Sequence, residues 1–303
     1  MGDTLMVLDT SYLYYRAFFG VPSSMRAPDG TPVNAIRGLL DSITRLVEQY
    51  SPDRLACAWD DDWRPAWRTE LVPSYKAHRV QQPIPLGVDE EETPDELGVQ
   101  VPLIREVLEA LGMPVIGVAD HEADDVLGSL ATQHHGRTLV VTGDRDLFQL
   151  VDDDTSVIWV GQGVAKNVEV DAEWLHAKYG VFPDRYVDFS VLRGDPSDGL
   201  PGIKGVGEKS AARLTELFPS LEALVRAALE GSTDITPAIR TRIVESAEYV
   251  MRAEEVVSVV LNLAVTIPPE LPLQPDGERV TALAERLGLA GPINRLLAVC
   301  APA

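Results

Sequence analysis

The chain has 303 residues, 45% hydrophobic and 24% charged, an ordinary globular composition with enough material for one large domain or two smaller ones. Its formal net charge of −21, taken alone, argues against a nucleic-acid binder but fits acids gathered around a metal. No apolar run reaches membrane-spanning length, "MGDTLMVLDTSYLYYR" carries an early acid unlike a secretory leader, and Cys57 and Cys300 are too few for a disulfide framework. A reducing cytoplasm and no membrane partner are therefore expected.

In chain order, the strand formers of TLMVLD (residues 4–9) come first, then SYLYYRAFF and NAIRGLLDSITRLVEQY. In the latter, Ile36, Leu39, Leu40, Ile43, Leu46 and Val47 recur at helical spacing. DRLACAWD reads as a second strand, MPVIGV as a third, TLVVTGD as a fourth and TSVIWVG as a fifth, with helix-like VPLIREVLEALG and EADDVLGSLATQHH between them. This alternation predicts an α/β fold with a doubly wound, mostly parallel sheet. From about residue 171 the segments DAEWLHAKYG, PDRYVDFSVLRG, EKSAARLTELF, SLEALVRAALEG and the run from PAIRTRIVE onward read as helices with short turns. The expected division is an α/β domain over 1–170 and a helical module over 171–303. The segment QQPIPLGVDEEETPDELGV (81–99), rich in proline and acid, is expected to be a solvated loop or lid outside any regular element.

Acids follow the strands. Asp9 ends the first, and the second runs into Asp60, Asp61 and Asp62. Glu122, Asp124 and Asp125 follow the third, and Asp144 and Asp146 the fourth. Open parallel sheets bind ligands at the carboxyl ends of their strands. Taken singly, Asp9, Asp144 or Glu122 is better explained as a helix cap. A cap needs one acid rather than three, however, and Glu122 and Asp125 share a helix face. Convergence of four such strand ends favours a hard divalent cation, Mg²⁺ or Mn²⁺, since that many anions repel one another without a counterion. There is no His or Cys pair at zinc spacing and no GxSxG. GIKGVGEK is not a phosphate loop of the Walker A type, because no lysine directly follows its last glycine. A carboxylate-only site with two or more divalent ions suits phosphodiester hydrolysis.

LPGIKGVGEKSAARL (200–214) reads as a glycine turn entering a helix. Gly202, Gly205 and Gly207 free the backbone to turn and present N–H groups, with Lys204, Lys209 and Arg213 nearby. Phosphate binds such nests and helix N-termini. The string fits a helix–hairpin–helix that grips a DNA backbone without reading sequence; an ordinary glycine-rich connection is the alternative. Asp195 and Asp198 precede it directly.

The motifs YKAHR (75–79), EADDVLGSLA (122–131), VTGDRDLFQLV (141–151) and GDPSDGLPGIKGVGEKSA (194–211) occur in that order after VLDTSYLYYRAFF. In these the chain, to about Val265, resembles the 5′ nucleases: flap endonucleases, phage 5′ exonucleases and the N-terminal domain of bacterial DNA polymerase I. The resemblance implies a PIN-like sheet with a C-terminal helix–hairpin–helix (H3TH) module. It implies a stand-alone, structure-specific 5′-3′ exonuclease and 5′ flap endonuclease that acts on DNA with 5′ ends, nicks or flaps, in repair or replication-intermediate processing. It implies two or three Mg²⁺ or Mn²⁺ ions held by Asp9, Asp60, Glu122, Asp124, Asp125, Asp144, Asp146, Asp195 and Asp198, with no small-molecule cofactor. Lys76 and Arg79 would face the scissile phosphate, and Arg16 fits the arginine that follows the first aspartate in the family. Tyr75 and the glycine hairpin (Gly202, Lys204, Gly205, Gly207, Lys209) would belong to the DNA-binding surface, with K⁺ at the hairpin.

Three departures stand out. Asp61 and Asp62 compete with Asp60 for one ligand position. Gly199 stands where the family has Asn. The acidic 81–99 segment replaces a shorter or more basic arch, which disfavours strong threading of a 5′ end. Two other readings remain open on the residues alone: a non-catalytic, structure-specific DNA-binding protein, and a related 5′ ribonuclease.

Overall fold

The computed structural model describes residues 3–84 and 87–301. The strands are β1 (Thr4–Asp9), β2 (Arg54–Ala58), β3 (Val80–Gln82), β4 (Glu90–Glu91), β5 (Val115–Ile116), β6 (Arg137–Thr142), β7 (Thr155–Trp159) and β8 (Val168–Val170). Six form one sheet in the order β5-β2-β1-β6-β7-β8. All neighbours run parallel except β8, which lies antiparallel on β7. β1 explains why the first strand is a continuous apolar run. Leu5 and Val7 point into one hydrophobic cluster, Met6 and Leu8 into another on the opposite face, so both faces are buried.

The five expected strands are present, although MPVIGV contributes only Val115–Ile116. β8 was not expected. Nor was the β3–β4 hairpin, which puts Glu90 and Glu91 of the acidic segment in a strand, followed by a short helix, Asp95–Gly98. The expectation that its acids lie outside any regular element is therefore corrected for Glu90, Glu91, Asp95 and Glu96, while Asp89 and Glu92 do lie outside one. Strands of two or three residues carry too little apolar alternation to be read, and these are fixed by pairing rather than burial.

On one face of the sheet lie the helices Asn34–Tyr50 and Gln100–Ala110. The last two helices, Gly277–Leu287 and Ala290–Val299, return to this face, where Leu283, Leu287, Ile293 and Leu296 join the cluster of Ile36, Leu40 and Ile43. On the other face, the helix Ala123–Gln133 and the helices between residues 172 and 257 share one cluster with Val7, Val140 and Val157. The helices after residue 171 thus lie in two layers, those between 172 and 257 on one face of the sheet and the last two on the other. Both cysteines are free and buried. Among the described residues no helix is long and apolar enough to cross a membrane.

Phe148, just past β6, pins the helices after residue 171 to the sheet. Its ring meets Tyr186 edge-on with centroids 5.5 Å apart, and Trp174 at 6.1 Å. It is fully buried. Phe148→Ala is expected to cost about 3–5 kcal/mol of unfolding free energy, measured by chemical denaturation. A loss under about 1 kcal/mol would show that the ring cluster does not anchor the helices.

Candidate active site

The strand ends deliver their acids to one edge of the sheet. Asp9 closes β1 and caps the next helix, its Oδ1 accepting from the Tyr12 N–H at 3.0 Å, while Oδ2 accepts from Thr142 Oγ1, at the end of β6, at 2.7 Å. Of the three acids after β2, Asp60 is the one that bonds to the helix of the acid row, although Asp62 is more deeply buried. Its Oδ1 accepts from the Ala123 N–H at 2.8 Å, which sets it beside the helix that carries Asp124. Asp61 pairs with Arg105 at 3.5 Å, and Asp62 caps the Arg64 N–H at 3.1 Å. Beyond β6, Asp144 Oδ1 accepts from the Asp146 N–H at 2.8 Å, and Asp146 Oδ1 from Ser190 Oγ at 3.0 Å. Asp195 and Asp198 arrive from the helical side, Asp198 paired with Arg79 at 2.8 Å and Asp195 with Arg193 at 3.3 Å.

Electrostatics show how crowded this edge is. Burial pushes the Asp9 carboxyl up to about 6, helped by Asp60 and Asp144 and opposed by its hydrogen bonds from Thr142 and Tyr12. Burial also raises Asp198 to about 6, with Asp144 and Glu122 adding and Lys76 and Arg79 opposing. Asp124 and Asp146 rise well above the usual carboxylate range, first through burial and then through the charge of Asp144. Among the described residues no three acids converge closely enough to close on one ion. Asp9, Asp60, Asp144, Asp146, Asp195 and Asp198 are instead held by protein donors, and mutual repulsion spreads the set. A row of buried, mutually repelling carboxylates is nonetheless the donor chemistry that a hard divalent cation satisfies.

Two acids are already neutralised. Glu122 accepts from the Tyr75 hydroxyl at 2.9 Å and Arg68 Nη1 at 3.0 Å, and it pairs with Lys76. Asp125 receives both prongs of Arg68, at 2.9 and 2.7 Å, and the Val260 N–H at 2.8 Å, and it closes a capping box with Glu122. Asp125 is thus not brought to the acid row; its oxygens are committed to the Arg68 guanidinium. Sequence reasoning missed Arg68. It sits in a short helix, Ala66–Leu71, with no motif around it, and its Nε reaches the carbonyl of Val256, 188 positions along the chain. Tyr75, expected on the DNA surface, is 4% exposed, so it orients Glu122 rather than touching a ligand.

Lys76 stands in the left-handed region, φ 49°. Such a backbone costs of order 1–3 kcal/mol and persists where its surroundings hold it. The restraint is the 195–200 turn: the Lys76 N–H donates to the Asp198 carbonyl at 2.8 Å. Gly199 explains the departure from Asn. Its φ is +70°, and a Cβ there would drive into the Ser74 carbonyl oxygen. Arg16 stays exposed, and Tyr12 lies within the field of both it and Asp9. In the glycine hairpin, Ile203 and Val206 are buried, as is Gly202, while Lys204, Gly205, Gly207 and Lys209 are exposed. Gly207 precedes the helix Glu208–Leu217 without a side-chain cap, which leaves its first N–H groups free for an anion.

Arg68→Met is expected to cost about 3–5 kcal/mol near pH 7, because two buried carboxylates lose their counterion. The loss should shrink at lower pH, where they can bind protons; an equal loss at both pH values would contradict the charge argument. A second expectation concerns the chain without divalent ions. Asp9 and Asp198 hold protons in the folded state to about 6 but release them near 3.8 when unfolded. Their stabilisation is present below the lower value and is lost as pH rises through the higher one. Melting temperature should therefore fall by several degrees between about pH 4 and about pH 7, and Asp124→Asn should flatten that slope. A melting temperature that rises across this window would contradict the assignment.

Residues 4–180 match the family model described as 5′-3′ exonuclease, N-terminal resolvase-like domain, and residues 181–276 the model described as 5′-3′ exonuclease, C-terminal SAM fold. A 5′-3′ exonuclease of Streptomyces coelicolor is 49% identical over 96% of this chain and 98% of its own length. A 5′-3′ exonuclease of Mycobacterium tuberculosis is 44% identical, over 98% and 97%. Among solved structures, the fold is similar to that of the bacteriophage T5 flap endonuclease in a complex with DNA and metal ions. The TM-score is 0.64 at 16% identity, covering 98% of this chain and 99% of that one. With both domains matched in order and two relatives similar along nearly their whole length, the chain belongs to the 5′-3′ exonuclease family.

Proposed function

We propose that the chain is a structure-specific 5′-3′ exonuclease and 5′ flap endonuclease that hydrolyses DNA phosphodiesters with divalent ions, in repair or in processing of replication intermediates. The observation that carries this reading is the row of carboxylates along the sheet edge, bordered by Lys76 and Arg79. Asp9, Asp60, Asp124, Asp144, Asp146, Asp195 and Asp198 would hold two or three Mg²⁺ or Mn²⁺ ions, while Glu122 and Asp125, both bound to Arg68, act at one remove by fixing Arg68 and Lys76. When bound, the ions supply Lewis acidity at the phosphoryl oxygens and a water that ionises near neutral pH.

The chain's own residues do the rest. Arg79 is held by the Ser197 carbonyl at 2.7 Å and by Asp198, so its guanidinium is set before substrate arrives. Lys76, 7% exposed and bound through its ammonium to Glu122, would join it once that pair opens to a phosphate. A scissile phosphate lying against both has its developing charge met by preorganised cations. Lys204, Lys209 and the uncapped N-terminus of Glu208–Leu217 would hold a second phosphate on the duplex. For K⁺ at the hairpin the fit is poorer. The Ile203 carbonyl already accepts from the Val206 N–H at 2.9 Å and the Lys204 carbonyl from Arg242 Nη1 at 2.9 Å.

The test is cleavage of a 5′-flapped and a nicked DNA duplex with Mg²⁺ or Mn²⁺, against matched RNA 5′ ends. Cleavage should stop with a chelator. Asp146→Asn and Lys76→Met should each lower the rate about 100-fold or more while leaving duplex binding in place. Full activity in both variants, or cleavage of RNA ends alone, would overturn the reading.

A further inference from the structure

Immediately after Arg79 the chain turns into the β3–β4 hairpin. Val80 pairs with Glu91, and the Glu92 N–H donates to the Arg79 carbonyl at 2.7 Å. Trp63 Nε1 donates to the Asp89 carbonyl at 2.7 Å, while Arg64 binds the Asp89 carboxylate at 2.6 Å and the Tyr75 carbonyl at 2.7 Å. These bonds seat the base of the hairpin on the same backbone that presents Lys76 and Arg79. Glu90 and Glu92 are exposed, but Glu91 between them is half-buried. Its carboxylate lies within the field of Arg79, Lys76, Asp60 and Glu122, with Tyr14 also beside it. Burial raises it above the usual range while Arg79 and Lys76 oppose the shift. Among the described residues it makes no ion pair or hydrogen bond through its carboxylate, so its charge is spent on no structural partner.

Its place relative to the sheet gives the charge a direction. Glu91 lies in the field of Asp60, which follows β2, whereas Asp146 and Ser190 lie past the end of β6, with β1 between; the 195–200 turn that leads to the glycine hairpin lies against Lys76 and Arg79. A DNA strand whose duplex is held at the glycine hairpin and whose phosphate lies on Lys76 and Arg79 would, continuing beyond Arg79, pass the β3–β4 hairpin that carries Glu91.

We propose that Glu91 is a specificity-determining residue, which sets a negative charge where the displaced 5′ strand departs and so disfavours strands that carry many phosphates beyond the cut. The proposal rests on the nuclease reading above. Carboxylate and phosphate repel most where water is partly excluded, and each further phosphate near the exit adds to the penalty.

The test compares three DNA substrates that share one duplex: a nick with a 5′-hydroxyl, a ten-nucleotide 5′ flap, and the same flap with uncharged methylphosphonate linkages. Glu91→Gln is expected to raise the flap-to-nick ratio of kcat/KM about 5–10-fold at low salt, with the gap closing as salt is added. Glu92→Gln, on the exposed neighbour, should leave the ratio unchanged. The wild-type enzyme should cleave the methylphosphonate flap better than the charged one, a measurement that needs no variant to fold. A ratio within twofold of wild type in Glu91→Gln, or equal rates on the charged and uncharged flaps, would overturn the proposal. An equal large loss on all substrates would make Glu91 part of the catalytic machinery instead. Failure of the wild type to cleave any of the three would count against the nuclease reading itself.

Discussion

Arg68 sits where three parts of the chain meet. It takes both oxygens of Asp125 and one of Glu122 and reaches the carbonyl of Val256 at the end of a distant helix. Two carboxylates as deeply buried as these are tolerable only with a counterion and full hydrogen bonding. Once it is present, Glu122 can also hold Tyr75 and Lys76, and Lys76 can keep its left-handed backbone against the Asp198 carbonyl. The acids farther along the sheet edge have no such internal cation. Asp9, Asp124, Asp144 and Asp146 meet mostly dipoles and one another. The site is therefore divided: one side carries its own positive charge, and the other supplies anionic ligands to a cation from outside.

How far this could be read from the residues depended on the range over which each signal acts. The first strand was legible because burial on both faces demands an unbroken apolar run, and the helix Asn34–Tyr50 because its six core positions recur at helical spacing. The choice among Asp60, Asp61 and Asp62 was not, since adjacent carboxylates look alike until Arg105 and the Arg64 N–H take two of them away. Arg68 and Glu91 were invisible for the same reason. Each gains its role from residues far off in sequence or from a short hairpin whose strands bury almost nothing. Asp125 shows the opposite hazard, in which a motif position is filled by the expected residue but its oxygens are engaged elsewhere.

Whole-chain charge was a poor guide to partner because its acids work in different places. Some crowd one sheet edge and raise each other's affinity for protons, Asp89 fastens a hairpin, and others pair with arginines on exposed faces. The basic groups that could meet a duplex are few, Lys204 and Lys209 at an uncapped helix start among them, but they stand where backbone N–H groups add to their charge.

The contact of Gly199 with Ser74 has an implication for anyone who recombines members of this family. Residues 74–76 and 195–200 are neighbours only because one of them lacks a side chain, and the Asp198 carbonyl sets the backbone of Lys76 through that closeness. The two stretches form a single inheritable unit although more than a hundred residues separate them. A chimera that took the 195–200 turn from a relative with Asn at this point, but kept its own YKAHR stretch, would force the two backbones apart and carry Lys76 with them. Crossovers that transfer both stretches together should preserve the site.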